Sequence, residues 1–135
     1  MQYLLDTNAV ISLLNEREGP VRRQLSTLRP SDVGISSIVA HELYFGAYKS
    51  QRRDQNLATV DDLRFEIVPF DREDARHAGE IRAGLSAQGL PIGGYDVLIA
   101  GQARARDLTL VTRNVGEFER VEGLRIENWV EPASD

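Results

Sequence analysis

Short apolar runs alternate with longer stretches of helical spacing along the whole 135-residue chain, and this alternation constrains the fold more than any other feature. Gln2 to Leu5, Val33 to Ile35, Ile67 to Phe70, Leu108 to Val111 and Leu124 to Ile126 read as five short strands. Asn8 to Leu14 reads as a helix, with Val10, Leu13 and Leu14 on one side. Pro20 suits a helix start, and Val21, Leu25 and Leu28 follow at i, i+4 and i+7. Ser36 or Ser37 caps a helix reaching about Tyr48, and Arg52 to Leu63 is also helical. Asp71 caps a helix to about Gln88, with Ala75, Ala78, Ile81 and Leu85 on its apolar face. Tyr95 to Arg106 is apolar on most sides and should be central. A short helix from Val115 to about Arg120 completes the set. The expectation is an α/β fold, a short parallel sheet of about five strands flanked by helices, in one domain over residues 1–135. Pro69 puts the third strand at an edge or near its end. In such sheets ligands bind beyond the carboxyl ends of the strands.

Composition narrows the chemistry. With no cysteine and only His41 and His77 as histidines, a bound metal must rest mostly on oxygen, which favours Mg²⁺ or Mn²⁺ over zinc. Both histidines read as solvated surface residues. The first residues lack the basic and apolar regions of a signal peptide, and no apolar run approaches the roughly 20 residues that cross a bilayer. A cytoplasmic protein without membrane contact is expected. The net charge of −5 argues against strong non-specific nucleic-acid binding. All 16 cations except Lys49 are arginine, which suits bidentate phosphate contacts, although a GC-rich gene would favour arginine too.

Four acids fall where such a sheet would bring them together. Asp6 directly follows the first strand, although Asp6, Thr7 and Asn8 are also ordinary helix caps. Glu42 lies four residues after Ile38, inside a stripe marked by Ile38, Val39, Leu43 and Phe45 or Gly46. A carboxylate there needs a partner, whether an arginine or a metal. Asp96 opens the most apolar helix, a favourable site for an acid in any case. The preceding Gly93 and Gly94 suggest a close backbone approach or positive φ. Glu117 follows the fourth strand and its turn, with Glu119 as its rival. Thr112 and Asn114 could bind a phosphate or a water, or merely shape the turn. Acids converging from strand ends repel one another, and a divalent cation removes that cost and can activate water against a phosphodiester.

The same residues resemble a known family. Leu4-Leu5-Asp6-Thr7-Asn8, Ser36-Ser37-Ile38 through Glu42-Leu43 with Gly46 and Ala47, Ile92-Gly93-Gly94-Tyr95-Asp96 into Ile99-Ala100, Val111-Thr112-Arg113-Asn114, Glu117 through Val121 and Gly123 through Trp129 have the order and spacing of VapC-type toxins of the PIN-domain superfamily. The similarity spans essentially the whole chain. It implies a PIN-like fold and an Mg²⁺-dependent endoribonuclease, with Mn²⁺ possible, that stops translation by cutting structured RNA, commonly tRNA. It implies silencing by a VapB-like antitoxin. It assigns the acids as Asp6, Glu42, Asp96 and Glu117, with Thr112 and Asn114 as polar helpers. The fourth acidic position varies within the family. Gly94 departs from many relatives, which carry proline or another residue there, and implies a looser loop.

Three further expectations rest on charge and size. Operator DNA should be contacted only through the antitoxin, since the chain is acidic and carries no DNA-binding motif. A homodimer is expected, because one small acidic protomer offers little surface for a folded RNA. An antitoxin arginine among the four acids would exclude both metal and phosphate. The rival readings are weaker. A haloacid-dehalogenase-like phosphatase would need a second aspartate where Asn8 stands, and a late lysine. A non-catalytic acidic cradle does not explain four acids in order. DNA flap nucleases carry additional DNA-binding elements that this length does not accommodate.

Overall fold

The computed structural model describes residues 1–130, so residues 131–135 of the expected domain lie outside the described residues. The chain forms β1 (Tyr3–Leu5), α1 (Thr7–Asn15), α2 (Pro20–Leu25), a 3-10 turn (Pro30–Asp32), β2 (Val33–Ser36), α3 (Ser37–Lys49) and α4 (Arg53–Asp61). It continues through β3 (Glu66–Val68), α5 (Arg72–Ala87), α6 (Gly94–Ala105), β4 (Thr109–Val111), α7 (Val115–Phe118) and β5 (Arg125–Glu127). The five strands form one sheet, ordered β3-β2-β1-β4-β5, and every pairing is parallel.

The apolar runs explain the order. Successive residues of a strand face opposite sides, and Leu4 and Leu5 of β1 and Leu110 and Val111 of β4 are all fully buried. Strands covered on both faces belong in the middle of a parallel sheet. The edge strands carry polar or exposed residues instead: Ile67 in β3 is exposed, as are Arg125 and Glu127 in β5. Pro69 follows β3, the edge strand, as its missing N–H requires. From β1 the chain first builds outward through β2 and β3, then crosses to β4 on the other side. The crevice beyond the carboxyl ends of β1 and β4 is therefore the switch point where such folds bind ligands.

Helix α6 is central, as its composition predicts, with Val97, Ile99, Ala100, Gly101, Gln102 and Ala103 buried. It lies tight against α5. A Cβ on Gly101 would stand 2.5 Å from the Ala78 backbone nitrogen, so only glycine permits this approach. At the end of the sheet Trp129 folds back onto Tyr3 of β1, ring centroids 5.0 Å apart. No helix among the described residues is long and apolar enough to cross a membrane.

The structure differs from the sequence-based expectation at several points. The turn Pro30–Asp32 has no counterpart in the predicted elements, and Leu28 lies beyond α2 rather than on it. Phe45 is exposed, outside the buried face of α3 that Val39, Ala40, Leu43 and Ala47 form. On α5 it is Asp74, not Ala75, that faces inward with Ala78, Ile81 and Leu85. Asp74 is only 1% exposed. Arg106 pairs with it at 3.1 Å and Gln102 donates to it at 3.2 Å. His77 is half-buried rather than solvated, and its Nδ1 accepts from Arg104 at 2.9 Å.

Candidate active site

The crevice gathers the expected acids from four elements. Asp6 stands at the junction of β1 and α1, where its backbone N–H donates to Val111 O across the sheet at 2.8 Å. It is indeed the N-cap of α1, but its carboxylate does more than cap. Oδ1 accepts from Thr7 N at 2.8 Å. Oδ2 accepts from the Thr112 hydroxyl at 2.9 Å and from Asn8 Nδ2 at 3.0 Å. Burial raises the Asp6 pKa, and these three hydrogen bonds, Thr112 foremost, oppose the rise.

Glu42 reaches the crevice from the second turn of α3. Its pKa is raised by burial and by the charge of Asp6. The Thr7 hydroxyl, buried and without a closed hydrogen bond, faces Glu42 closely enough to favour its charged form. Asp96 arrives on the first turn of α6, beside a Gly93 that caps the helix with no side chain. The expected close approach at Gly93 is to Asp96 itself: a Cβ there would stand 2.9 Å from Asp96 Oδ2. Neither Gly93 nor Gly94 takes positive φ, which among the described residues occurs at Gly89, Asp107 and Gly123 instead. Asp96 is the most perturbed of the acids. Burial first, then the charge of Asp6, a hydrogen bond to Glu117 and the charges of Glu117 and Glu42 raise its pKa to about 7.

Glu117 lies on α7, and its Oε2 accepts from Asn114 Nδ2 at 2.8 Å. Glu119 is exposed, so it is Glu117 that the fold turns toward Asp96. Thr112 is fully buried, and its oxygen also accepts from Asn114 N at 3.0 Å. All six residues singled out in the sequence therefore meet in one place. Two more join them without having been singled out: Asn8, through its amide, and Thr7, through its hydroxyl. His41 is exposed, its ring 5.3 Å from that of Tyr95.

Among the described residues no three His, Cys, Asp or Glu side chains are grouped closely enough to hold a metal ion as they stand. The donor chemistry nevertheless fits a hard divalent cation. It consists of four carboxylates, those of Asp6, Glu42 and Asp96 with raised pKa values, and an unsatisfied hydroxyl, with no nitrogen or sulfur donor among them.

An open parallel sheet with acids at its switch point defines the class, and residues 3–124 match the model of the PIN domain; the chain belongs to the PIN-domain family. VapC proteins are among its relatives. The tRNA(fMet)-specific endonuclease VapC of Shigella flexneri is 42% identical over 131 residues, covering 96% of this chain and 98% of that protein. A DNA-bound VapBC structure from Salmonella typhimurium superposes with a TM-score of 0.91 at 41% identity, covering 96% of this chain and 98% of its counterpart. VapBC2 from Rickettsia felis, bound to a promoter DNA fragment, gives a TM-score of 0.89 at 38% identity over 96% of this chain and 99% of its counterpart.

Proposed function

We propose that this protein is an Mg²⁺-dependent endoribonuclease, able to use Mn²⁺, that cuts structured RNA and serves as the toxin of a VapBC-type pair in the cytoplasm. tRNA is the first candidate substrate, since the Shigella relative carries that specificity in its name. The observation that carries the reading is the meeting of Asp6, Glu42, Asp96 and Glu117 in one crevice, two of them with pKa values raised partly by the charge of Asp6.

Asp6 and Asp96 hold the ion most directly in this reading, with Glu42 and Glu117 completing an all-oxygen set. The bound ion supplies Lewis acidity, offsetting charge on the scissile phosphate and making water there more acidic. Thr112 orients Asp6, and Asn114 orients Glu117. With a pKa of about 7, Asp96 can hold a proton against Glu117 in the ion-free protein at neutral pH. Arrest of translation follows if tRNA is the target.

A VapB-like antitoxin is the partner, in line with the VapBC neighbours, and operator DNA is reached through it. An antitoxin arginine among the four acids is the favoured mode of inhibition, because a fixed cation with a planar fork of donors suits clustered carboxylates. A homodimer belongs to the same reading, because one small acidic protomer offers little surface for a folded RNA. Sequencing RNA ends after brief expression of the wild type and of Asp6→Asn tests the reading. New ends at a few sites in one RNA class, absent with the variant, are expected. Identical end profiles would refute it.

A further inference from the structure

Asn8 uses every hydrogen-bonding group of its side chain inside the crevice. One Nδ2 hydrogen goes to Asp6 Oδ2 at 3.0 Å, the other to Thr112 Oγ1 at 3.2 Å. Its Oδ1 accepts from Arg113 N at 2.9 Å. The partners fix which way round the amide lies, since the Arg113 N–H can only donate and the Asp6 carboxylate only accept. Asn8 sits on the first turn of α1, while Thr112 and Arg113 lie just past β4. A single side chain thus ties the two central strand ends together across the switch point.

The ring that results is closed. Thr112 Oγ1 donates to Asp6 Oδ2 and accepts from Asn8 Nδ2, and Asn8 Nδ2 also donates to Asp6 Oδ2. Oδ2 is thereby saturated by two donors, and Oδ1 takes a single one, from Thr7 N. The free lone pair of Oδ1 becomes the part of Asp6 best able to face a ligand. An aspartate held this way cannot swing between rotamers, so the entropy of ordering it is spent before any ligand arrives.

We infer that Asn8 is a positioning residue of the active site, acting with Thr112 to fix the Asp6 carboxylate so that Oδ1 is presented to the divalent cation. The inference rests on the metal-dependent ribonuclease reading and deepens it. The alternative is a purely structural clamp on the turn at Arg113, and it predicts different behaviour.

The test is a double-mutant cycle with Asn8→Ala, Thr112→Val and the pair. Mn²⁺ affinity is read by calorimetry, kcat and KM on a structured RNA by cleavage, and folding by melting temperature in chelator. Each single change should weaken Mn²⁺ binding or lower kcat by about 10-fold or more, with KM for RNA within about twofold, as loss of an outer-sphere partner does. The pair should lose little beyond the worse single, because both act through Oδ2 of one carboxylate. Asn8→Ala within twofold of wild type in both Mn²⁺ affinity and kcat would overturn the inference, as would losses that multiply in the pair. Should the wild type bind Mn²⁺ yet leave RNA intact, the ribonuclease reading falls while the calorimetric cycle still decides on Asn8. A wild type that does neither refutes both.

Discussion

Removing the charge of Asp96 should make the ion-free protein more stable, and the structure sets the scale. The carboxyl has an ordinary value of 3.8 and is raised to about 7 in the fold. At about 1.36 kcal/mol per pH unit, that displacement corresponds to at most ~4 kcal/mol. Asp96 is only half-buried, so solvent screening reduces the figure to roughly 2 kcal/mol. The sign follows from proton linkage. Between the two pKa values the folded state holds a proton that the unfolded chain has released, so stability falls as pH rises through this window and levels off above about 7. Asp96→Asn keeps the shape and carries no charge at any pH. The variant should match the wild type near pH 4 and exceed it by roughly 2 kcal/mol at pH 8, or about 8 °C in melting temperature for a domain of this size. Urea unfolding in chelator at several pH values measures this directly. An Asp96→Asn protein that is less stable than wild type at pH 8, or whose advantage does not grow with pH, would refute the electrostatic account of the crevice. The same variant should be inactive on RNA, the usual exchange of stability for function.

Other outcomes follow from the same structure. Millimolar Mn²⁺ should raise the wild-type melting temperature, by up to about 2.7 kcal/mol of stability when the ion stands at 100 times its Kd; no change would count against the metal site. Arg106→Ala strands the buried Asp74 carboxylate, whose hydrogen-bond partners are Arg106, Gln102 and the Asp71 N–H and not the crevice acids, and should cost about 3–5 kcal/mol in urea unfolding while leaving kcat per folded molecule near wild type. Gly101→Val drives side-chain atoms into the Ala78 backbone, a contact already at 2.5 Å for a bare Cβ, and should cost at least 1–3 kcal/mol; an unchanged midpoint would contradict the close approach of α5 and α6. Light scattering should find a dimer, and a strict monomer at working concentration would refute the expected pairing.

The sheet was legible because its strands are apolar runs and its helices keep a helical period, so both the parallel pairing and the central place of α6 follow from pattern alone. Asp6, Asp96 and Glu117 were legible for the related reason that strand ends and helix starts can be placed by eye. What escaped depends on partners distant in sequence. Asn8 reads as one more capping residue until Thr112, 104 positions later, supplies its partner. Asp74 is buried only because Arg106 and Gln102 come back to it from 32 and 28 positions on, and the helical pattern of α5 therefore misassigned the inward position to Ala75. Phe45 shows the converse: an aromatic residue near an apolar stripe that the fold leaves on the outside.

The most direct measurement is cleavage of a structured RNA by the purified chain, with Mg²⁺, with Mn²⁺ and with chelator, set beside Asp6→Asn, Glu42→Gln, Asp96→Asn and Glu117→Gln. Cleavage by the wild type in either ion, lost in chelator, abolished by Asp6→Asn and Asp96→Asn and strongly reduced by the other two, is the expected result. Cleavage that persists in chelator, or that survives in both Asp6→Asn and Asp96→Asn at near wild-type rate, would contradict it.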